Sequence, residues 1–243
     1  MSGIDEKVLV GERAAALIQD GMKVGLGSGS TAARFVDALG KRVAGGLDII
    51  GVPTSEATRR QAEALGIRLA TLEEQPELDV TVDGADEIGP DLVLIKGGGG
   101  ALLREKLVAA ASRRMIVVAD GSKRVERLGR FPLPIEVVPF GFATTHRRLA
   151  SVLADATGRP VEAALRSSPG GSPFVTDGGH WIVDARVGAI EKPVELGAAL
   201  KGLLGVVEHG LFVGLASTAL IGTQEGVMEL DRQGHLRPGD AGP

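Results

Sequence analysis

The sequence predicts an α/β protein, with a parallel, doubly wound sheet covered by helices on both faces and a smaller ferredoxin-like α+β insertion. Two observations carry this prediction. Up to Ala119, short apolar runs of strand type alternate with segments of helical periodicity, which is the pattern of a parallel sheet whose strands are joined by helices. From Phe131 the order becomes strand, helix, two strands, helix and strand, as in a split βαβ domain.

The elements of the first part are predicted from their periodicity. Helices are expected where apolar residues recur at helical spacing, at residues 5–20, 31–39, 55–65 and 101–114. Strands are expected where short apolar runs lie between turn residues, at residues 22–26, 67–69, 80–82, 92–95, 115–119 and within 48–55. The glycines at 97–100 therefore form a strand-to-helix turn.

The second part of the chain ends by returning to the first. Strands are predicted at residues 135–138, 161–165 and 181–185, and helices at 144–156 and 194–204. Buried-strand character reappears at 211–215 and 226–230, and the tail from Gly234 is expected to fray. We therefore expect a main domain at residues 1–130, completed by 207–243, with a small domain inserted at 131–206.

Composition and charge exclude several classes of function. The chain has 243 residues, of which 44% are hydrophobic and 24% charged, and a net charge of −4. This balance is typical of a globular protein and leaves no electrostatic footprint for nucleic acid. No cysteine is present, so disulfides and thiol nucleophiles are excluded. The four histidines lack metal-binding spacing, and no apolar run reaches membrane-spanning length.

The first residues, Met-Ser-Gly-Ile-Asp-Glu-Lys, lack the basic and apolar regions of an export signal. We therefore expect a cytoplasmic protein that binds neither nucleic acid nor membrane.

The glycine-rich turn carries the strongest chemical signal. A strand-to-helix turn presents open backbone N–H groups at a helix N-terminus, which favours an anion or a developing negative charge. Lys96 precedes this turn and Glu105 follows it, while Asp83 and Asp86 stand at the end of a neighbouring strand. A cation, a carboxylate and a set of amide donors are the groups needed to move a proton next to a carbonyl. The alternative is a turn that serves packing alone.

A second loop, residues 27–31, follows a predicted strand and has the sequence Gly-Ser-Gly-Ser-Thr. Such residues at a helix start offer N–H and hydroxyl donors that suit a phosphate. A dinucleotide fingerprint requires an acidic residue at the end of the next strand, where Thr54 and Ser55 stand, and a triphosphate-binding loop requires a Lys that this loop lacks. Two alternatives remain, a small phosphate ester or a helix that Ser30 or Thr31 simply caps.

Four loop motifs occur in order, at residues 27–32, 83–87, 96–99 with 104–106, and 120–123. Together they closely resemble the motifs of ribose-5-phosphate isomerases of the A type, and residues 133–137 and 210–212 resemble the same family. The resemblance implies a Rossmann-like domain with a small α+β domain, assembled as a homodimer or homotetramer. It also implies interconversion of ribose 5-phosphate and ribulose 5-phosphate without metal or cofactor.

The resemblance further implies roles for individual residues. Glu105 is the implied general base, and Lys96 and Asp86 act at the reacting oxygens. Asp83 assists ring opening. The implied substrate-binding residues, besides Asp83, Asp86 and Lys96, are Ser28, Gly29, Ser30, Thr31, Gly84, Ala85, Gly97, Gly98, Gly99 and Lys123, with Lys7 as a further phosphate partner. The chain departs from the family pattern at Leu103, where a small hydroxyl residue is expected.

Two other functions remain open at this point. An amino-sugar phosphate isomerase-deaminase on the same scaffold would need a His in its proton relay, and no His falls in the four loops. A sugar-phosphate-sensing regulator would bind its ligand without turnover. The presence of Lys96 and Glu105, and the lack of a basic stripe in the sequence, argue against such a regulator.

Overall fold

The computed structural model describes residues 5–239. The helices are α1 (Glu6–Ala16), α2 (Ser30–Ala44), α3 (Glu56–Ala64), α4 (Leu102–Ala110), α5 (Phe142–Thr157) and α6 (Pro193–Lys201). The strands are β1 (Lys23–Leu26), β2 (Ile50–Pro53), β3 (Val80–Asp83), β4 (Glu87–Ile88), β5 (Leu94–Ile95), β6 (Met115–Asp120), β7 (Leu133–Val137), β8 (Ala163–Leu165), β9 (Trp181–Ala185), β10 (Val206–His209), β11 (Leu211–Phe212), β12 (Ala216–Thr223), β13 (Gly226–Asp231) and β14 (Leu236–Pro238).

The largest sheet has seven strands in the order β14-β13-β12-β6-β3-β1-β2. The five strands from β12 to β2 are parallel, and β13 and β14 extend the sheet as antiparallel strands. Side chains along β6 alternate between two cores. Ile116 and Val118 pack with residues of α1 and α2, whereas Met115 and Val117 belong to the core that includes Ala109 of α4. The predicted parallel sheet with helices on both faces is confirmed.

A second sheet has four antiparallel strands in the order β10-β7-β9-β8. The chain runs from β7 through α5 to β8 and from β9 through α6 to β10, so the predicted ferredoxin-like arrangement is confirmed. The core of this sheet includes Leu149 of α5 and Leu200 of α6. The same core also contains Ile95 of β5 and Leu211 of β11, which belong to the third sheet. The boundaries of the inserted domain, 131–206, stay a prediction.

A third sheet of three short strands, β11-β5-β4, leads into the glycine-rich turn. The strand predicted at residues 92–95 is wrong in its extent and its partners. Only Leu94–Ile95 is a strand, and it pairs antiparallel with β4 and β11 instead of joining the parallel sheet. Asp91 and Leu92 turn the chain sharply just before it, each with a φ of 55°. The glycine-rich turn therefore begins outside the parallel sheet.

Several other predicted elements differ from the structure. Residues 67–69 contribute a single bridge, between Leu69 and Gly51, because the chain there only touches the edge of β2. The strand predicted at 211–215 ends at Phe212, and β12 follows it without having been predicted. Residues 236–238 pair with β13, so this part of the tail does not fray, while residues 240–243 lie outside the described residues.

The longest described helix, α5, has 16 residues, whereas a membrane-spanning helix needs about 20 apolar residues. Within residues 5–239, no helix is long and apolar enough to cross a membrane.

Candidate active site

A small cavity lies where the carboxyl ends of β1, β3 and β6 meet the glycine-rich turn. It has a volume of about 100 Å³ and is lined by Ser28, Gly29, Ser30, Thr31, Gly84, Ala85, Asp86, Lys96, Gly97, Gly98, Gly99, Glu105 and Lys123. Every one of these residues is predicted from the sequence to act in catalysis or in substrate binding. The structure thus brings the four loops together, whereas the roles of the residues stay predictions. Asp83 and Lys7 lie beside the cavity and not on its wall.

Lys96 is buried between two carboxylates. Its Nζ lies 2.9 Å from Oδ2 of Asp83 and 3.4 Å from Oε2 of Glu105, and it donates a hydrogen bond of 2.7 Å to the carbonyl of Gly84. The exposed fraction of the side chain is 2% for Lys96, 0% for Asp83 and 5% for Glu105. Because so little water screens these groups, each of them strongly affects the charge state of the others.

Burial makes Glu105 a group that titrates near neutral pH. Loss of hydration raises the pKa of Glu105 to about 8, although the Lys96 ammonium opposes the shift. Burial by itself would lower the pKa of Lys96, but the carboxylates of Asp83 and Glu105 outweigh it and raise that pKa above its usual value. Oε2 of Glu105 is buried and accepts no hydrogen bond within residues 5–239. Glu105 can therefore exchange a proton while Lys96 stays charged.

Asp83 lies at the end of β3, directly behind Lys96. Its Oδ1 accepts hydrogen bonds from the backbone N–H of Ser28 at 3.0 Å and of Gly84 at 2.7 Å. A Cβ atom at position 27 would lie 2.3 Å from the same oxygen, so only Gly27 allows the loop to pass this close to the carboxylate. Asp83 thus fixes the loop at residues 27–31 relative to Lys96.

Asp86 contacts the glycine-rich turn. Its Oδ2 accepts a hydrogen bond of 2.7 Å from the N–H of Gly98. The turn is possible because Gly97 has a φ of 108° and Gly100 a φ of 83°, values that favour glycine over all other residues. The turn therefore bends around Asp86 and brings Gly98 and Gly99 to the cavity wall.

The N-terminus of α2 forms a second side of the site. The helix begins at Ser30 with Gly29 as its N-cap, at a φ of 91°, and no side chain of the described residues caps it. The prediction that Ser30 or Thr31 caps this helix is therefore wrong, because both residues already belong to its first turn. Its first N–H groups are open to an anion. Lys7 of α1 stands beside them, and its Nζ donates a hydrogen bond of 3.0 Å to Oγ of Ser30.

Lys123 approaches the same place from the turn after β6. Partial burial would raise the pKa of Asp120, but hydrogen bonds from Ser122 and the charges of Lys123 and Lys7 outweigh it and hold that pKa below its usual value. Both ammonium groups thus lie close enough to act on one carboxylate. The N-terminus of α2, Lys7 and Lys123 make this side of the site cationic.

The hydroxyl of Ser28 belongs to a cluster that sequence analysis missed. Its Oγ lies 2.7 Å from Oγ1 of Thr54, 2.8 Å from Oγ of Ser55 and 3.3 Å from Oγ1 of Thr58. The hydroxyl therefore faces β2 and α3, although Ser28 itself lines the cavity. The signal that could have revealed the cluster is the Thr54-Ser55 pair directly after β2, since parallel strands end at one edge of the sheet.

A segment that follows β8 in the small sheet also reaches the site. Nη1 of Arg166 donates hydrogen bonds to the carbonyls of Gly97 at 2.9 Å and Gly98 at 3.1 Å. Oδ2 of Asp177 accepts a hydrogen bond of 2.8 Å from the N–H of Glu56, the first residue of α3. Neither Arg166 nor Asp177 is predicted from the sequence, because no motif marks them and their partners are distant in the chain.

A polar site with several carboxylates could also bind a metal ion. Among residues 5–239, no group of three or more His, Asp or Glu side chains is arranged to hold a metal ion. The space between Asp83 and Glu105 is occupied instead by the ammonium of Lys96.

The parallel sheet, with a buried lysine between two carboxylates beside a cationic helix N-terminus, has the arrangement of an α/β enzyme with a site for a small anion. The family model described as ribose 5-phosphate isomerase A (phosphoriboisomerase A) matches residues 50–226. The chain belongs to this family of isomerases.

Relatives from bacteria cover nearly the whole chain. Ribose-5-phosphate isomerase A of Afipia carboxidovorans is 57% identical over 232 residues, which are 96% of this chain and 98% of that protein. The enzyme of the same name from Bradyrhizobium diazoefficiens is 57% identical over 225 residues, which are 91% of this chain and 93% of that protein. The chain is thus an isomerase of this family, and both relatives are matched over nearly their full length.

Solved structures share the same fold. Ribose 5-phosphate isomerase A of Methanocaldococcus jannaschii has a TM-score of 0.87 at 38% identity, covering 93% of this chain and 98% of that one. A D-ribose-5-phosphate isomerase in complex with phospho-erythronic acid has a TM-score of 0.88 at 36% identity, covering 95% of this chain and 100% of that one. Both similarities extend over the parallel sheet and the small sheet alike.

Proposed function

We propose that the protein interconverts D-ribose 5-phosphate and D-ribulose 5-phosphate through an enediolate, with Glu105 as the general base. The observation that carries the proposal is the buried Glu105 carboxyl group, whose pKa is raised to about 8 and whose Oε2 lies 3.4 Å from the Lys96 ammonium. A base with such a pKa is partly ionised at neutral pH and still basic enough to take a proton from carbon. The reaction belongs to the non-oxidative branch of the pentose phosphate pathway.

A single base suffices for this reaction. In the open-chain aldose, Glu105 takes the hydrogen at C2 as a proton, and the electron pair left behind forms the C1–C2 double bond while the carbonyl oxygen at C1 becomes negative. The protonated Glu105 then returns its proton to C1, and the proton of the C2 hydroxyl moves to the oxygen at C1. Hydrogen is conserved overall, so no redox partner is needed.

The developing negative charge requires positive potential at the two reacting oxygens. Lys96 supplies a buried ammonium whose pKa is raised, so it stays charged throughout the working range of Glu105. The glycine-rich turn adds amide donors, and such a preorganised donor contributes roughly 3 to 4 kcal/mol to the stabilisation of the transition state. Asp86 lines the cavity, and it is proposed to act at the substrate oxygens between which the proton moves.

The cationic side of the site is proposed to hold the phosphate group of the substrate. The open N–H groups of α2, with Ser30 and Thr31, suit the phosphate oxygens, and the ammonium groups of Lys7 and Lys123 neutralise its charge. Direct contact of Ser28 with the substrate stays a prediction, since its hydroxyl is engaged with Thr54 and Ser55 and its N–H with Asp83.

Asp83 is proposed to hold Lys96 in place. Its carboxylate is fully buried and lies 2.9 Å from Nζ of Lys96, so its position fixes the ammonium next to Glu105. Ring opening, the role that the family resemblance implies for Asp83, requires in addition that Oδ2 reach the ring oxygen of the bound sugar, and it stays a prediction.

Location and assembly are proposed on the family resemblance. We expect a cytoplasmic enzyme that forms a homodimer or homotetramer and works without a metal ion. Size-exclusion chromatography with light scattering would distinguish these assemblies from a monomer.

The proposal is tested by mixing the purified protein with ribose 5-phosphate in the presence of a chelator and measuring ketose formation. We expect turnover in the wild type and a strong loss of kcat in Glu105→Gln and Lys96→Ala, because a general base contributes roughly 10² to 10⁴ to the rate and an oxyanion donor roughly 10² to 10³. A wild type that binds phospho-erythronic acid but forms no ketose would instead indicate a sugar-phosphate-sensing regulator.

A further inference from the structure

Arg166 lies outside the four loops, yet it is firmly attached to the glycine-rich turn. Its Nη1 bridges the carbonyls of Gly97 and Gly98, at 2.9 Å and 3.1 Å. The other side of the guanidinium pairs with Asp184 of β9, with Nε 2.8 Å from Oδ2 and Nη2 close to Oδ1. The ring of Phe174 lies 5.8 Å from the guanidinium carbon. The exposed fraction of the Arg166 side chain is only 15%.

These contacts determine where the amides of the turn point. In a trans peptide the C=O and N–H groups point in opposite directions. The carbonyl of Gly97 faces Arg166, and the N–H of the same peptide unit, which belongs to Gly98, faces Asp86 on the other side. The carbonyl of Gly98 also faces Arg166, so the N–H of Gly99 must point away from the guanidinium. Gly98 and Gly99 both line the cavity.

The guanidinium also strengthens these amides as donors. A hydrogen bond accepted by a carbonyl polarises its peptide unit and makes the N–H at the other end a better donor. Arg166 suits this task because its planar fork can bind a carboxylate and carbonyl oxygens at the same time, whereas a lysine offers a single point charge. The ring of Phe174 packs against the guanidinium. The same ring leaves no room for a side chain at position 100, because a Cβ atom there would lie 2.4 Å from it.

We propose that Arg166, held by Asp184, is a positioning residue that turns the Gly99 amide towards the reacting oxygens and keeps the Gly98 amide on Asp86, without touching the substrate. The inference rests on the proposed function, since the amides matter only if charge develops on those oxygens. It also gives the small sheet a part in catalysis. The residues that bind the phosphate lie on other loops, so the effect of Arg166 falls on turnover and not on affinity.

The test compares Arg166→Met, Arg166→Lys and Asp184→Asn with the wild type. In Arg166→Met we expect kcat for ribose 5-phosphate to fall by about 10- to 100-fold, with KM changed less than about 3-fold, because an oxyanion donor acts mainly in the transition state. Arg166→Lys and Asp184→Asn should show smaller losses of the same kind. Hydrogen–deuterium exchange of the peptide that covers residues 97–101 should become faster in all three variants, because the turn loses its anchor.

The matched control is Arg186→Met. Arg186 directly follows β9, the strand that contains Asp184. Its side chain is exposed, and its Nε lies 3.6 Å from Oε2 of Glu162. We expect this variant to match the wild type in kcat, KM and exchange.

Two results would overturn the proposal. One is a kcat of Arg166→Met within about twofold of the wild type together with unchanged exchange at residues 97–101. The other is a loss of kcat accompanied by faster exchange throughout the small sheet in both Arg166→Lys and Asp184→Asn, which would indicate a merely structural role. If the wild type itself forms no ketose, the proposed function fails, and the exchange at residues 97–101 then still decides whether Arg166 positions the turn.

Discussion

Glu105 and Lys96 form a buried pair in which each group sets the charge state of the other. Burial raises the pKa of the Glu105 carboxyl group to about 8, and the nearby carboxylates raise the pKa of Lys96. There is therefore a range of pH, above the pKa of Glu105 and below that of Lys96, in which the carboxylate is ionised and the ammonium is still charged. In that range one residue can take a proton from carbon while the other stabilises the resulting oxyanion.

The pH dependence of activity follows from this range. The base must be deprotonated to work, so kcat/KM should rise as the pH rises through the pKa of Glu105. With that pKa at about 8, we expect an increase of roughly tenfold between pH 7 and pH 9 and a plateau above it. The measurement is a pH profile of kcat/KM with ribose 5-phosphate, and its apparent pKa belongs to the coupled pair. A flat profile between pH 6 and pH 9 would contradict the assignment.

At the scale of elements, the site is formed by the loops that follow β3, β5 and β6 and by the N-terminus of α2. The N-terminus of α2 and the turn after β6 supply the cationic side, and the loop after β3 supplies Asp83 and Asp86. The glycine-rich turn after β5 supplies the amides and, through α4, Glu105. The proposed function assigns the phosphate and the reacting carbons to different elements, so affinity and turnover should respond to different substitutions.

Lys123→Ala tests this separation. Removal of one ammonium from the phosphate side should raise the KM for ribose 5-phosphate by about tenfold, because a charge-assisted hydrogen bond contributes roughly 1.5 to 3 kcal/mol. The kcat should stay within about threefold of the wild type. The control is Lys41→Ala, an exposed lysine in the last turn of α2. An unchanged KM in Lys123→Ala would remove Lys123 from the site.

Sequence patterns predicted the loops of the site better than the strands that carry them. Glycine, serine and acidic residues at the ends of strands are local signals, so the loops at 27–31, 83–87 and 97–100 were all identified. β12 was missed because its sequence, Ala-Ser-Thr-Ala-Leu-Ile-Gly-Thr, is a weak strand former. It becomes a strand because it pairs with β6 on one side and β13 on the other, and such tertiary pairing leaves little trace in the local pattern.

Arg166 and the hydroxyl cluster around Ser28 could not be predicted for the same reason, because their contacts are made between residues that are distant in the chain. Arg166 contacts carbonyls 68 and 69 residues away in the chain, and an isolated arginine carries no signal of such a partner. The wrong prediction of a cap at Ser30 or Thr31 has a different cause. A glycine with positive φ can occupy the N-cap position, and the sequence alone does not distinguish it from the hydroxyl residues that follow.

At the scale of the whole molecule, a shared hydrophobic core and polar contacts join the small sheet to the rest of the protein, in addition to the two chain connections. Its core includes Ile95 of β5 and Leu211 of β11, and Leu128 precedes the segment. Arg166 and Asp177 add polar contacts to the glycine-rich turn and to α3. A continuous core of this kind favours unfolding as one cooperative unit, even though the small sheet is inserted between β6 and β11.

Trp181 offers a direct test of this cooperativity. It is the only tryptophan in the chain and lies in β9 of the small sheet, so its fluorescence reports on that sheet, whereas far-UV circular dichroism reports on all helices. We expect the two signals to give the same midpoint in a urea titration. A fluorescence transition clearly below that of circular dichroism would show that the small sheet unfolds by itself.

The measurement that tests the central claim most directly is hydrogen exchange at the substrate carbons, followed by NMR in D₂O. The wild type should form ribulose 5-phosphate from ribose 5-phosphate and incorporate solvent deuterium as the proton passes through Glu105. Glu105→Gln should still bind phospho-erythronic acid but carry out both processes roughly 10² to 10⁴ times more slowly. Glu63→Gln, an exposed glutamate of α3, serves as the matched control and should behave as the wild type. If Glu105→Gln exchanged hydrogen at a rate near that of the wild type, Glu105 would not be the base.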